Sequence, residues 1–129
     1  MVRHLPVSRQ ATSIGRSGEY YVCYLLERVG CEATRSDGRF DVVAVRPDGR
    51  LISIEVKTCY TARGASAGFR IGNSSADWFA LCIDGKHGPT VLFMRGDDPL
   101  LSQSFVRVKT ADFTPAALTE TLRELAVSV

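Results

Sequence analysis

Residues 39–58 read RFDVVAVRPDGRLISIEVKT, and they hold two short β-prone runs around a turn. Residues 40–45 and 51–56 are rich in valine and isoleucine, which favour strands. Between them, Pro47 pre-sets its own backbone angle, and Gly49 accepts the left-handed conformation. A three-residue loop built on a type I turn with a left-handed Gly49 suits this pattern. The sequence therefore predicts a β-hairpin.

The length of the turn fixes which side chains face each other. A three-residue loop pairs Arg46 with Arg50, and counting back pairs Asp41 with Glu55. Directly opposed residues have Cβ atoms about 5 Å apart, and Lys57, two residues further on, shares their face. A two-residue turn at positions 48 and 49 would shift the register by one and place the two acids on opposite faces.

Two carboxylates facing each other repel unless a positive charge neutralises them. Lys57 supplies one such charge, and a divalent cation with hard oxygen ligands, magnesium or manganese, would supply more. A lysine beside a carboxylate-bound metal suits hydrolysis of a phosphodiester, because it can stabilise a developing oxyanion or help to deprotonate water. The alternative is a solvated hairpin face with an ordinary ion pair between Glu55 and Lys57.

This pattern resembles the PD-(D/E)XK nuclease superfamily, in which an Asp near the start of one strand precedes Glu-X-Lys on the next. Phe40-Asp41 and Glu55-Val56-Lys57 carry that match. Upstream, residues 15–19 (GRSGE) resemble the helix-borne Glu of archaeal Holliday-junction resolvases and related homing and restriction endonucleases. Downstream, residues 76–81 (ADWFAL) resemble the strand that follows the Lys in compact homing-type members. The resemblance spans roughly residues 13–95.

The resemblance implies an α/β fold with a mixed central β-sheet flanked by helices, a restriction-endonuclease-like αβββαβ core. It also implies magnesium-dependent DNA cleavage, with manganese as a substitute. In that reading Asp41 and Glu55 bind the metal, and the Val56 carbonyl adds a ligand. Lys57 positions or activates the attacking water, and Glu19 supports the metal site. The alternative for Glu19 is a helix-surface acid paired with Arg16 or with residues near Cys23.

The length and composition of the chain limit the classes of protein to which it can belong. A chain of 129 residues with 45% apolar residues predicts one packed domain, residues 1–129. Because there is no apolar stretch of about 18 residues and no signal peptide, we expect no membrane partner and a cytoplasmic location. The four cysteines form no Cys-x-x-Cys pair and the two histidines complete no zinc pattern, so buried free thiols are expected.

The net charge of +2 neither requires nor excludes nucleic acid. Residues 1–18 hold three arginines and no acid, and residues 1–12 are expected to form a basic N-terminal arm or a solvated tail. The proposed DNA contacts are Arg9, Arg16, Arg35, Arg63 and Arg70. DNA is the expected partner, and symmetric cutting of two strands would require a homodimer.

Helical spacing predicts a first helix over residues 13–29, capped by Ser13 and stopped by Gly30. Phe40 should face that helix together with Val42. Residues 61–76 are expected to form a mobile basic loop beside the metal, and residues 78–83 and 90–94 a second strand pair. An edge strand is expected over 103–108, and a last helix begins at Thr114-Pro115.

The function that follows is a metal-dependent DNA endonuclease, structure-specific or homing- or restriction-like. The alternative is a catalytically inactive nuclease-fold module for DNA binding or assembly. Asp77, at the start of the second strand pair, either ends that strand structurally or stands near the active site.

Overall fold

The computed structural model describes residues 7–59, 66–85 and 88–127, and within residues 7–15 the backbone alone is described. The described residues form two helices, α1 (Val7–Arg28) and α2 (Pro115–Val127). They also form seven strands: β1 (Glu32–Arg35), β2 (Val42–Val45), β3 (Leu51–Cys59), β4 (Ser66–Arg70), β5 (Trp78–Gly85), β6 (Gly88–Arg95) and β7 (Phe105–Lys109). Short 3-10 helices cover Pro99–Ser102 and Thr110–Asp112.

A five-stranded mixed sheet in the order β1-β2-β3-β5-β6 forms the centre of the fold. β3 and β5 are parallel, and the other neighbouring pairs are antiparallel. The predicted mixed sheet flanked by helices is therefore confirmed. Its order differs in one respect from the expected αβββαβ series: in the described part of the crossover from β3 to β5, the chain forms β4 and not a helix.

Each face of the sheet is covered by a different layer. Side chains of α1 and α2 pack on one face around Val42, Ile54 and Ala80. A two-stranded sheet of β4 and β7 covers the other face, around Phe79 and Leu81. The alternation of a strand sends neighbouring residues to opposite faces, so both faces of β3 and β5 are used and the central strands are largely apolar.

The predicted hairpin is confirmed in its turn and its register. The Arg46 amide donates to the Arg50 carbonyl at 2.8 Å, and the Gly49 amide donates to the Arg46 carbonyl at 2.9 Å. Gly49 has φ +86°, the left-handed conformation that glycine adopts without a steric penalty. Pairing of Val45 with Leu51 and of Val42 with Ile54 follows.

The basic N-terminal arm over residues 1–12 stays a prediction, but the first helix begins earlier than predicted and includes residues 7–12. Those residues hold no glycine or proline, and nothing in them stops a helix from extending toward the N-terminus. Ser13 therefore lies inside α1 and does not cap it. Residues 1–6 lie outside the described part of the chain. Gly30 does end the helix, with φ +89° and an amide that donates to the Glu27 carbonyl.

Two further predictions are confirmed and two are wrong. The second strand pair forms as β5 and β6, and Thr114 caps α2 by accepting from the Ala117 amide at 3.0 Å.

The loop predicted over residues 61–76 contains β4, because Ala67 and Phe69 alternate into the second core cluster. Phe40 packs against that same cluster and not toward the helices, since the chain leaves regular strand geometry just before Val42.

The described helices include none long and apolar enough to cross a membrane. Cys31 and Cys82 are buried, Cys23 and Cys59 are half-buried, and no disulfide joins the four.

Candidate active site

The hairpin brings Asp41 and Glu55 together, as its register predicts. Asp41 lies one residue before β2, next to the last paired residues Val42 and Ile54. The two carboxyl groups are close enough to share a hydrogen bond, and both residues are half-buried. The two acids therefore face each other in the structure, because the hairpin has the register of the three-residue loop.

Hydrogen bonds on both sides hold Asp41 in place. Its Oδ2 accepts from the Val56 amide at 2.9 Å, so the side chain continues the strand pairing where the backbone of β2 ends. The Asp41 carbonyl accepts from the Ser36 amide at 2.9 Å, which closes the loop between β1 and β2. A carboxylate fixed by a backbone donor is oriented before any ligand arrives, and lone pairs of both its oxygens remain for one.

The pKa of Glu55 is raised from its usual 4.5 to about 7. Burial is the largest cause, because it disfavours the charged form. The hydrogen bond with Asp41 and the repulsion from its charge raise the pKa further, while Ser74 and Lys57 lower it. Near neutral pH the pair thus tends to hold one proton between two carboxyl groups, and a cation at the same place would relieve the same repulsion.

Lys57 lies on the same face of β3 as Glu55 and is half-buried. It pairs with Leu81 in the parallel ladder, which fixes its backbone in the middle of the sheet. Its charge favours the ionised form of Glu55. The predicted trio of Asp41, Glu55 and Lys57 is therefore assembled on one face of two adjoining strands.

Ser74 is a member of this site that the sequence did not reveal. It lies in the loop after β4, and its hydroxyl hydrogen bonds to Glu55. It also accepts from the Ala76 amide at 3.3 Å, which shapes the loop. Asn73-Ser74-Ser75 has no pattern that distinguishes it from an ordinary polar connection, so no local signal could have identified it.

Glu19 has a different partner from the ones predicted for it. Its Oε1 lies 3.0 Å from the Nε of Arg35, on β1. Neighbouring Gly18 faces Thr58, because a Cβ atom there would lie 2.8 Å from Thr58 Oγ1. Thr58 alternates with Lys57 along β3, so α1 packs on the sheet face opposite to Glu55 and Lys57.

The remaining predicted DNA contacts are dispersed. Arg16 is exposed on α1 and Arg70 is exposed on β4, whereas Arg35 is held by Glu19 and by the hydroxyl of Tyr20 at 3.1 Å. Arg9 belongs to the first turns of α1, where side chains are not described. Arg63 lies in residues 60–65, outside the described part of the chain.

Asp77 has a structural role in this fold. Its Oδ2 accepts from the Ser53 amide at 2.9 Å and from the Ser53 hydroxyl at 3.1 Å. The Asp77 amide in turn donates to the Ser53 hydroxyl at 3.0 Å. This reciprocal pairing joins the start of β5 to β3, as expected of an acid that ends a strand.

An open pocket of about 480 Å³ lies at the start of β3 and β5 and contains none of the trio. Arg46, Arg50, Asp77, Trp78 and Arg95 are among its lining residues. The acidic pair lies further along β3. A backbone phosphate of a polymer needs an accessible surface and not a deep cavity. The pocket is therefore no reason to place the candidate active site away from Asp41 and Glu55.

The donor set at Asp41 and Glu55 fits magnesium or manganese. Magnesium is usually held by one or two carboxylates and keeps several waters, and the described residues offer two opposed carboxyl groups within hydrogen-bonding distance of each other. No group of three His, Cys, Asp or Glu side chains that could hold a metal occurs in residues 7–59, 66–85 and 88–127 as far as they are described. Glu19 is therefore not gathered with the pair into such a group.

Comparison with known proteins gives a likeness to a solved structure. No protein-family model and no curated protein matches the chain. Among solved structures, the bacterial homing endonuclease I-Ssp6803I superposes with a TM-score of 0.59 at 14% sequence identity. The match covers 74% of this chain and 72% of that one. At this identity the likeness shows a shared fold.

Proposed function

We propose that this protein is a metal-dependent DNA endonuclease that hydrolyses phosphodiester bonds. Asp41, Glu55 and Lys57 form its active site. The single observation that carries the proposal is the opposition of the Asp41 and Glu55 carboxyl groups, with Lys57 on the same face. The fold of a bacterial homing endonuclease supports it, because that solved structure shares the architecture that positions these strands. Membership of the PD-(D/E)XK superfamily is part of the proposal.

Magnesium, or manganese in its place, would be held by Asp41 and Glu55, with the Val56 carbonyl as a further oxygen ligand. When bound, such an ion polarises a phosphoryl oxygen and lowers the pKa of water. Asp41 enters this role already fixed by the Val56 amide. Glu55 must give up the proton that it shares with Asp41, and the nearby charge of Lys57 favours that loss.

Lys57 performs two tasks in this scheme. Its ammonium group is a compact donor that can orient the attacking water. It also places positive charge where negative charge accumulates on the phosphate oxygens during in-line attack. Ser74 holds Glu55 by a hydrogen bond, so its role is to position that carboxyl group.

The test is incubation with labelled four-way junction, duplex, flap and single-stranded DNA, in magnesium, in manganese and in EDTA. We expect cleavage of at least one substrate that requires the divalent ion. Asp41→Asn, Glu55→Gln and Lys57→Ala should each abolish it while the circular dichroism spectrum is unchanged. Glu120→Gln, on the exposed surface of α2, is the matched control. Full activity in the three variants would overturn the assignment.

A second candidate is a nuclease-fold module that binds DNA without cutting it. The observation that favours it is the ion pair of Glu19 with Arg35, which leaves the opposed carboxyl groups without a third acid. Thermal unfolding with added magnesium separates the two candidates. A metal site should raise the midpoint as magnesium increases, whereas a remnant pair should not respond.

Cleavage of both strands of a duplex further requires two copies of this site, and we propose a homodimer for that reaction. Analytical ultracentrifugation with and without duplex DNA tests this part. A monomer that nicks one strand at a time would contradict the dimer and leave the chemistry of the site unchanged.

A further inference from the structure

The two-stranded sheet of β4 and β7 has one buried face. The strands are antiparallel, with Ser66 opposite Lys109, Gly68 opposite Arg107 and Arg70 opposite Phe105. Ala67, Phe69, Val106 and Val108 are buried and pack in the second core cluster. Because strands alternate, the other residues form a separate outer face.

This outer face carries three cations and no acid. We call it the ribbon face, and its members are Ser66, Gly68, Arg70, Phe105, Arg107 and Lys109. Arg70, Phe105, Arg107 and Lys109 are exposed, and Phe105 has 45% of its surface accessible. None of the three cations takes part in an ion pair with a described residue. Unpaired cations concentrated on one surface attract a polyanion.

Side chains on the ribbon face are organised by contacts with each other. The ring of Phe105 lies across Gly68, since a Cβ atom at Gly68 would collide with Phe105 Cζ. The Arg107 guanidinium carbon lies 5.5 Å from the centroid of that ring, and Arg107 Nη1 donates to the Ser66 hydroxyl at 3.3 Å. Arg107 is thereby held over the ribbon, which reduces the conformational entropy that binding would cost.

The ribbon face is connected to the acidic pair through a short segment. Ser74, whose hydroxyl hydrogen bonds to Glu55, follows Arg70 by four residues. The ribbon covers the sheet face of Phe79 and Leu81. Phe79 and Leu81 are the β5 partners of Glu55 and Lys57. The ribbon and the acidic pair therefore lie on the same side of the five-stranded sheet, and the segment that contains Ser74 links them.

We propose that the ribbon face is the element that binds duplex DNA in the major groove and positions the backbone for the acidic pair. This inference rests on the proposed function and deepens it. A major groove about 12 Å wide admits a two-stranded β-ribbon. Arg70 and Arg107 have the fork of donors that pairs with guanine O6 and N7, and Lys109 suits a phosphate.

Charge excludes the simplest competing occupant. A second copy docked ribbon to ribbon would bring two sets of like charges together, which costs free energy in an interface. An anionic lipid surface has the same sign as DNA, but it offers no groove of matching width. Duplex DNA supplies both the charge and the shape.

Binding is tested in EDTA, so that cleavage does not interfere, by fluorescence anisotropy with a labelled duplex across roughly 50 to 200 mM salt. Arg70→Gln/Arg107→Gln/Lys109→Gln keeps the side-chain stems and should weaken binding by at least about tenfold. Its slope of log affinity against log salt should fall by about one to three. Arg123→Gln, exposed on α2 on the opposite side of the sheet, should bind like the unmodified protein. Unchanged affinity and slope in the triple variant would overturn the proposal.

The groove is tested by competition on the same complex. Methyl green, which occupies the major groove, should displace the protein, whereas netropsin in the minor groove should leave it bound. The reverse pattern would contradict the proposal, as would tighter binding to phosphatidylserine vesicles than to the duplex.

The binding results test the ribbon face independently of the proposed nuclease activity. If the unmodified protein binds duplex through the ribbon but cuts no DNA in magnesium, the ribbon assignment stands and the nuclease assignment fails. If it cuts DNA and the triple variant binds unchanged, the nuclease assignment stands and the ribbon assignment fails. Circular dichroism and thermal unfolding of the triple variant confirm that it is folded.

Discussion

Two acids beside β3 lie on the same side of the sheet and differ in what surrounds them. Asp77 faces Ser53 and accepts from both its amide and its hydroxyl. Asp41 faces Glu55, two residues along the same strand, and there two carboxyl groups oppose each other and share a hydrogen bond. The distance between the two positions along β3 is about 7 Å, at the usual rise per residue of a strand.

The difference in surroundings identifies Asp77 as a structural acid and the pair of Asp41 and Glu55 as a candidate metal site. At Asp77 the amide and the hydroxyl of Ser53 both donate to one carboxyl oxygen, so this acid has its hydrogen-bond partners within the fold. At Asp41 and Glu55 the number of acceptors exceeds the number of donors, and burial raises the pKa of Glu55 to about 7. Such a pair is stabilised by a proton or by a cation. The surroundings of an acid, and not its presence on a strand, indicate its role.

The largest expected difference between the two acids is in cleavage. Glu55→Gln should reduce the rate of magnesium-dependent cleavage by on the order of a thousandfold, because it removes a charge that the ion and the transition state require. Asp77→Asn, which keeps an acceptor for Ser53, should stay within about twofold of the unmodified protein. Single-turnover rates on the best DNA substrate measure both. Equal losses in the two variants would remove the distinction drawn here.

The next largest effect is on the free energy of unfolding, where the substitution at Asp77 should cost more than the substitution at Glu55. Asp77→Ala removes the acceptor of two hydrogen bonds and should lower the free energy of unfolding by about 1–2 kcal/mol. Glu55→Gln removes a repulsion and should leave the free energy of unfolding equal or higher in metal-free buffer at neutral pH. Urea denaturation in EDTA gives both values. A destabilised Glu55→Gln protein would show that Glu55 serves the fold.

The third effect is the pH dependence of that stability. The folded protein holds the Glu55 proton more tightly than the unfolded chain does, since the pKa is raised from 4.5 to about 7. The contribution of this group is therefore present at low pH and is lost as the pH rises through that interval. Glu55→Gln should lack this part of the pH dependence. Unfolding midpoints in EDTA between about pH 5 and pH 8 test it, and identical curves for the two proteins would contradict the raised pKa.

Magnesium should compete with the same proton. Because the ion needs the ionised carboxylate, its apparent affinity should weaken by up to about tenfold for each pH unit below 7. The magnesium dependence of the unfolding midpoint at about pH 6 and pH 8 measures this. An affinity that does not change with pH would place the ion away from Glu55.

Local chemistry made the hairpin and the last helix predictable from the sequence. Pro47, Asp48 and Gly49 favour a three-residue loop over a two-residue turn, and that loop length places Asp41 opposite Glu55. Thr114 and Pro115 likewise begin α2 by a cap that involves neighbouring residues. In each case the deciding interactions lie within a few residues of each other.

The missed features depend on contacts between distant residues. β1 has the sequence EATR and β4 has SAGFR, and neither shows the apolar run that marks a strand. Both are strands because a partner strand pairs with them. The partners of Glu19 and Glu55, Arg35 and Ser74, come from separate elements whose approach no spacing in the chain announces.

The central claim is that one divalent ion is held jointly by Asp41 and Glu55. Crystals soaked in manganese and measured at an anomalous wavelength test it most directly. We expect one strong anomalous peak within bonding distance of both carboxyl groups, and its absence from crystals of Glu55→Gln. No peak in crystals of the unmodified protein, or a peak beside Asp77 in its place, would show that the two carboxyl groups do not hold the ion.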